Sequence, residues 1–149
     1  ETPSSCGGNV PKLDIAGALA LYRAMSAAIS NGLLRSSHTP TLGGLAAAFA
    51  LAAIGGDLGA DIDLSGLACE GTLEDDAKLF AESNSRFVVT CAPEREPELR
   101  DLFRGLPCAR VGTVTAAERL RIQGAGGRGL VDMDLDALRR AFKETLYGV

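Results

Sequence analysis

The sequence has little of what metal sites and nucleic-acid-binding surfaces are made of. It contains one histidine, and its four cysteines, Cys6, Cys69, Cys91 and Cys108, lie far apart with no CxxC pair. This spacing lacks the pattern of a zinc site and indicates reduced thiols in a cytosolic protein. The net charge of -4 argues against nucleic acid as a partner.

No apolar run is long enough to cross a bilayer. The longest, LAAAFALAAI at residues 45–54, has ten residues, about half of what a membrane-spanning helix needs. It therefore predicts a buried core helix that includes Phe49. The chain begins at Glu1 without a basic leader and an apolar signal core, and we expect it to be a piece of a longer protein.

The length and composition suit one folded domain. Hydrophobic residues make up 46% of the 149 residues and charged residues 23%, which is typical of globular proteins with a core of their own. The first eleven residues, ETPSSCGGNVP, have the composition of a linker. We therefore predict a linker at 1–11 and a domain at 12–149.

Helical and strand patterns alternate along the predicted domain. Asp14 and Thr41 can each cap a helix, and the apolar face of the first one is predicted to contain Leu19, Tyr22, Met25 and Ile29. The alternation predicts an α+β fold in which a single mixed sheet is packed against helices. Strands are predicted at 33–38, 59–66, 86–92, 109–115, 119–124 and 127–133, with 86–92 as a central strand.

A polar loop with a glycine pair precedes the apolar helix, in the run SSHTPTLGGLAAAFA. Gly43 and Gly44 stand at a helix start, where free amides attract an anion and missing side chains let a phosphate approach. The same pair also suits a tight turn in which glycine only allows close packing.

His38 is a candidate ligand contact or general acid, or a loop histidine with a local partner. No neighbour in sequence completes a nucleophile or metal set, so no catalytic residue is assigned.

A second polar segment, ESNSR at 82–86, precedes the strand FVVTC. Ser83 and Ser85 offer hydroxyl groups, and Arg86 offers a forked cation that suits a phosphate. Polar clusters are also common in ordinary turns. The segment is therefore either an anion site or a solvated connection.

Taken together, these segments resemble the C-terminal domain of phosphoribosylformylglycinamidine synthase, in the superfamily that includes aminoimidazole ribonucleotide synthetase. The resemblance covers almost the whole chain, through VPKLD, NGLLRSSH, GGLAAAFA, GADIDL, LFAESNSRFVV, and ARVGTVT before RLRI. The pattern LF-x-ES-x-SR-x-VV is its most specific part, because selenophosphate synthetase and hydrogenase-maturation relatives share the glycine-pair helix but generally lack that segment.

The resemblance implies a domain that packs against an ATP-binding N-terminal domain absent here and supplies part of the cleft for formylglycinamide ribonucleotide. The ribose phosphate would lie against Gly43 and Gly44, near Ser83, Ser85 and Arg86. In the family reaction ATP phosphorylates an amide oxygen of the substrate, and ammonia from a glutamine amidotransferase partner displaces phosphate. ATP and magnesium would be held mainly by the missing domain, so the isolated domain would be inactive. A homodimer is compatible with the resemblance.

The chain departs from the family pattern in the polar loop that precedes the apolar helix. Where the family typically reads SHD-x-SDGGL, this chain reads SHTPTLGGL, so that Thr39 and Leu42 replace two aspartates. Threonine binds a hard cation far less well than a carboxylate, and no metal ligand is assigned. Two alternatives therefore stay open: a non-catalytic paralogue serving as a structural or dimerisation lobe, and another ATP-dependent member such as selenophosphate synthetase or a hydrogenase maturation protein. The intact ESNSR segment favours the synthase over this last alternative.

Overall fold

The computed structural model of the chain describes residues 12–69, 71 and 73–144, so the predicted linker at 1–11 lies outside the described residues. The α-helices are α1 (Ile15–Ser30), α2 (Gly44–Gly56), α3 (Asp75–Phe80), α4 (Glu96–Leu102) and α5 (Leu135–Glu144). The strands are β1 (Ser36–His38), β2 (Gly59–Asp63), β3 (Val88–Thr90), β4 (Gly112–Thr115), β5 (Arg119–Gln123) and β6 (Gly129–Asp134). Each predicted strand segment overlaps one of these strands. None of the helices in this part of the chain is long and apolar enough to span a membrane.

Helix α1 begins where the sequence predicts. The carboxylate of Asp14 accepts hydrogen bonds from the amides of Ala16 and Gly17, both at 3.1 Å, and so satisfies two N–H groups that have no partner within the helix. The helix ends at Ser30, and Gly32 follows with a positive φ of 64°. The Asp14 cap is confirmed.

The buried face of α1 differs from the predicted one. It consists of Ala18, Ala24, Met25 and Ala28, and all but Ala18 pack in a cluster with α4. Tyr22, Leu19 and Ile29, all predicted on the core face, are instead 47%, 48% and 60% exposed. The buried face of α1 is thus formed mainly by small alanine side chains, and the larger Leu19, Tyr22 and Ile29 are turned towards solvent.

Helix α2 is the buried helix that the apolar run predicts, but its cap is different. Phe49 is 5% exposed, which confirms its place in the core. The predicted Thr41 cap is wrong: Gly43 is the N-cap residue, without a side-chain hydrogen bond, and Thr41 contributes its carbonyl oxygen to the amide of Gly44 at 3.0 Å. A glycine cap in the left-handed conformation replaces the side-chain cap.

Four strands form a mixed sheet in the order β4-β2-β5-β6. Strand β2 is antiparallel to β4 and parallel to β5, and β5 is antiparallel to β6. The α+β class with a mixed sheet is confirmed. The prediction of a single sheet needs correction, however, because β1 and β3 pair only with each other in a separate antiparallel ladder.

Strand β3 is therefore not a central strand of the sheet. Its apolar character comes from its position between two hydrophobic clusters: Val88 packs against the first, whereas Phe87 and Val89 pack against the second. A strand that is apolar on both faces is expected inside a sheet covered on both sides. Here a three-residue ladder between two clusters produces the same pattern.

The two clusters account for most of the core in the described residues. The first lies between α2 and the inner face of the four-stranded sheet and contains Leu45, Phe49, Ile62, Leu64, Leu79, Leu120 and Ile122. The second lies between α1 and α4 and contains Ala24, Met25, Ala28, Leu33, Leu99 and Phe103.

The outer face of the four-stranded sheet carries charged side chains, as the alternating pattern of β2 predicts. Asp61 pairs with Arg121 at 3.4 Å, and Arg121 lies 3.7 Å from Asp132 on the neighbouring strand. Arg119 also donates a hydrogen bond to Asp132. This bond lowers the pKa of the Asp132 carboxyl group below its usual value.

Candidate functional site

The loop that contains Gly43 and Gly44 and the ESNSR segment at 82–86 both lie at the same end of the two-stranded ladder formed by β1 and β3. Strands β1 and β3 are antiparallel, with His38 at the end of β1 opposite Val88 at the start of β3. The chain after His38 and the chain before Val88 therefore emerge side by side. The amide of Gly43 confirms this by donating a hydrogen bond to Oε1 of Glu82 at 3.0 Å, across 39 positions of sequence.

Close packing accounts for the second glycine of the pair. Gly44 has a φ of 60°, and a Cβ atom there would lie 2.7 Å from the carbonyl oxygen of Leu79 and 2.9 Å from the carbonyl carbon of Phe80. Both are backbone atoms of α3 and cannot turn away. Gly44 is thus required for the contact between α2 and α3, as the tight-turn alternative predicts.

The amide of Gly43, the first glycine of the pair, already has a hydrogen-bond partner. Gly43 has a φ of 83°, and the carboxylate of Glu82 occupies the position in which a ligand anion was expected. An anion therefore reaches this amide only if Glu82 moves away. The helix start attracts a negative group, as expected, but in this structure the group belongs to the chain itself.

Arg86 has an unused donor in the interior. Its Nη2 atom donates to Oγ of Ser83 at 3.2 Å, whereas its buried Nη1 atom has no hydrogen-bond partner. None of the ion pairs among the described residues involves Arg86. Burial lowers the pKa of its guanidinium group, and the nearby Cys69 thiol opposes this effect. Arginine nevertheless stays charged at neutral pH, so the guanidinium group keeps a positive charge for which the described residues provide no ion-pair partner.

Ser85 contacts Tyr22, a residue that the sequence pattern predicts in the core. Its φ is 54°, and its hydroxyl group lies 3.0 Å from the hydroxyl group of Tyr22 on α1. The Tyr22 ring packs edge-on against Phe87, with centroids 5.9 Å apart. No sequence signal links Tyr22 to Ser85, because 63 positions separate them.

The structure thus brings together the two segments that contain the predicted site residues. Gly43 contacts Glu82, Ser83 contacts Arg86, and His38 is half-buried at the end of β1 that opens onto this region. The binding of one anion by Gly43, Gly44, Ser83, Ser85, Arg86 and His38 stays a prediction.

The loop between β1 and α2 does not provide a magnesium site. Thr39 and Leu42, which stand where the family pattern has aspartates, are both exposed, and Leu42 is 84% exposed. Within the described ranges, no three or more histidine, cysteine, aspartate or glutamate side chains lie close enough to hold a metal ion. The residues of this loop therefore do not fit magnesium.

A shallow depression of about 520 Å³ lies on the outer face of the four-stranded sheet. It is lined by Asp61, Arg110 and Arg121 among others and shares no residue with the candidate site. Among its charged groups, Asp61 pairs with Arg121, Arg110 pairs with Glu96, and Asp63 accepts a hydrogen bond from the amide of Ser65. The buried Nη1 donor of Arg86, in contrast, has no hydrogen-bond partner.

Known proteins resemble this chain in sequence. The family model for AIR synthase related protein, C-terminal domain, matches residues 2–125. Phosphoribosylformylglycinamidine synthase subunit PurL of Thermobifida fusca (strain YX) is 34% identical over 144 residues, which are 94% of this chain and 17% of that protein. The chain thus spans about a sixth of the length of this curated relative.

Solved structures share the fold. Thermotoga maritima PurL complexed with FGAR matches with a TM-score of 0.77 at 19% identity, over 87% of this chain and 22% of that chain. A chain in the structure of PurLQS from Thermotoga maritima matches with a TM-score of 0.72 at 20% identity, over 81% of this chain and 21% of that chain. Because the family model covers most of the sequence and the fold agrees, the chain belongs to the family of AIR synthase related protein C-terminal domains.

Proposed function

We propose that this chain is the C-terminal domain of a phosphoribosylformylglycinamidine synthase and binds part of formylglycinamide ribonucleotide. The Thermobifida fusca relative bears that enzyme name, and a Thermotoga maritima PurL with the same fold was solved with FGAR. In the proposed reaction ATP phosphorylates the carboxamide oxygen of the glycinamide group, and ammonia displaces phosphate from that carbon, giving the amidine. The domain contributes to substrate binding and supplies no catalytic residue.

The observation that carries this proposal is the buried Nη1 atom of Arg86 without a partner. Leaving a buried donor unsatisfied costs about 1–3 kcal/mol, which a ligand acceptor would recover. A ribose phosphate has several acceptor oxygens and suits the fork of an arginine. Ser83 already bonds Nη2 of this side chain and can turn its own hydroxyl hydrogen to the same phosphate.

The two halves of the proposed site differ in how readily they accept an anion. Ser83, Ser85 and Arg86 can do so without losing a charged partner. The amide of Gly43 can donate to a ligand anion only after the Glu82 carboxylate leaves, since two negative groups cannot share this donor. We therefore assign the phosphate first to Arg86 and the serines, with Gly43, Gly44 and His38 completing the contacts when Glu82 moves.

Other parts of the proposed enzyme lie outside residues 12–149, which we propose as one domain. An ATP-binding domain of the same polypeptide would hold ATP and magnesium, and a glutamine amidotransferase would supply ammonia. The free thiols of Cys69, Cys91 and Cys108 suit a cytoplasmic location. A homodimer is compatible with this assignment, and the chain alone would have no synthase activity because half of its cleft is missing.

The test uses the full-length synthase that contains this chain. Arg86→Ala is expected to raise KM for formylglycinamide ribonucleotide roughly 10–150-fold, the effect of losing a charged hydrogen bond worth about 1.5–3 kcal/mol. Arg104→Ala is the matched control, because Arg104 is exposed and pairs only with Asp101 among the described residues. An unchanged KM in the Arg86→Ala variant would show that the substrate phosphate does not bind at this site.

A second candidate function is that of a non-catalytic structural lobe. It is favoured by Thr39 and Leu42 in place of aspartates and by the Glu82 carboxylate on the Gly43 amide. In this case Arg86→Ala would change the stability of the enzyme and leave KM unaltered. The same experiment therefore separates the two candidates.

A further inference from the structure

Ser85 has a backbone conformation that needs support. Its φ of 54° lies in the left-handed region, which side chains other than glycine and asparagine adopt at a cost. Asp57 is the other non-glycine residue with a positive φ in the part of the chain that the structure describes, and it lies at the C-terminal cap of α2, where this conformation is common. Ser85 follows no helix directly, so its conformation must be stabilised by contacts elsewhere.

Tyr22 supplies such contacts on both sides of Arg86. Its hydroxyl group lies 3.0 Å from Oγ of Ser85, and its ring meets the Phe87 ring edge-on at an interplanar angle of 85°. Ser85 and Phe87 are the two neighbours of Arg86 in the chain. One side chain of α1 thus holds the backbone immediately before and after the proposed phosphate-binding arginine.

The hydrogen bond between Tyr22 and Ser85 is not required by burial. Tyr22 is 47% exposed, so that water could satisfy its hydroxyl group if Ser85 were absent. The bond also leaves Ser85 able to bind a ligand, because a hydroxyl group offers one donor and two acceptor positions. Its clearest effect is therefore on the geometry of the segment.

We propose that Tyr22 is a positioning residue that keeps Ser85 in the left-handed conformation and thereby orients Arg86 towards the substrate phosphate. The inference rests on the proposed function, since it assigns Tyr22 a role at the same site. Without the Tyr22 hydroxyl group, Ser85 relaxes towards a negative φ, and the guanidinium group of Arg86 turns away from Ser83. Substrate affinity falls as a result, whereas the chemistry of the ATP-dependent step is unaffected.

The first test is Tyr22→Phe in the full-length synthase. This substitution keeps the ring contact with Phe87 and removes only the hydroxyl group. We expect KM for formylglycinamide ribonucleotide to rise roughly 2–10-fold, as for one neutral hydrogen bond, with kcat and the melting temperature nearly unchanged. Leu19→Ala, an exposed position on the same helix, is the control and should leave KM unchanged.

A double-mutant cycle with Ser85→Gly separates positioning from a general effect on α1. Glycine adopts a positive φ without cost, so Tyr22→Phe should have little further effect in the Ser85→Gly background. Equal effects of Tyr22→Phe in both backgrounds would overturn the inference, as would a lower melting temperature with unchanged KM.

Arg86→Ala distinguishes failure of this inference from failure of the proposed function. If Arg86→Ala raises KM but Tyr22→Phe does not, the phosphate site stands and the positioning role is wrong. If neither variant raises KM, both are wrong. If only Tyr22→Phe raises KM, Tyr22 acts by a route other than Arg86, and the inference is overturned.

Discussion

Replacing Gly44 by alanine tests the contact that brings the two halves of the candidate site together. Gly44 is the first residue of α2, and the new Cβ atom would lie 2.7 Å from the carbonyl oxygen of Leu79 and 3.0 Å from Cα of Phe80. Both distances are far below the normal contact of a methyl group. Because the obstructing atoms belong to the backbone of α3, relief requires α2 and α3 to move apart.

The expected loss of stability has two parts. A non-glycine residue at a φ of 60° costs about 1–2 kcal/mol, and forcing a methyl group into a packed contact costs about 1–3 kcal/mol. Together they lower the free energy of unfolding of the Gly44→Ala variant by about 2–5 kcal/mol. For a domain of this size the melting temperature would fall by roughly 4–20 °C.

Gly55→Ala in the same helix is the matched control. No heavy atom outside its own helix backbone and chain neighbours lies within 4 Å of the new Cβ, and Gly55 does not have a positive φ. Alanine should therefore stabilise the helix by about 0.5–1 kcal/mol. Urea denaturation followed by circular dichroism measures both variants. If Gly44→Ala were as stable as Gly55→Ala, the contact between α2 and α3 would be refuted, and ligand binding would be the better explanation of the glycine pair.

The remaining predictions concern two carboxylates. Asp75 is 7% exposed and accepts hydrogen bonds from the amide of Ala125 at 3.1 Å and from Arg128 at 3.2 Å, so Asp75→Asn should lower the free energy of unfolding by about 1.5–3 kcal/mol and speed exchange of the Ala125 amide hydrogen. Unchanged exchange would contradict this. Because Arg119 lowers the pKa of Asp132, the contribution of Asp132 to stability is present above its ordinary pKa of 3.8 and is lost as pH falls through the lower folded value. Asp132→Asn should therefore flatten the acid side of the stability profile in urea denaturation at several pH values, and an unaltered profile would contradict the pairing.

Local signals in the sequence predicted most of the secondary structure. The Asp14 cap and the apolar run around Phe49 depend on neighbouring residues, and both appear as expected. The alternation in β2 likewise predicts its charged outer face. These features follow from interactions within a few residues of one another, which a sequence pattern records directly.

Features that depend on distant contacts could not be predicted in this way. Val88 and Val89 indicate a central strand, but their apolar surroundings are two separate clusters. Nothing near Gly43 shows that its amide is bound by Glu82, 39 positions away. The grouping of the two polar segments at one site came from the family resemblance, and the contact of Tyr22 with this site was missed because its spacing suits a core residue equally well.

The pairing of β2 also affects when the domain can fold during synthesis. Both neighbours of β2 come late in the chain: β4 begins at Gly112, 49 positions after β2 ends at Asp63, and β5 begins later still at Arg119. At about 5–20 residues per second, the ribosome takes roughly 2–10 s to add these residues. During that time β2 has no strand partner, and its apolar side chains Ala60 and Ile62 can be covered only by the cluster residues that precede β4, such as Phe49 and Leu79. The sheet then forms through contacts of high sequence separation, which slows folding and leaves the unpaired strand exposed to aggregation during this interval.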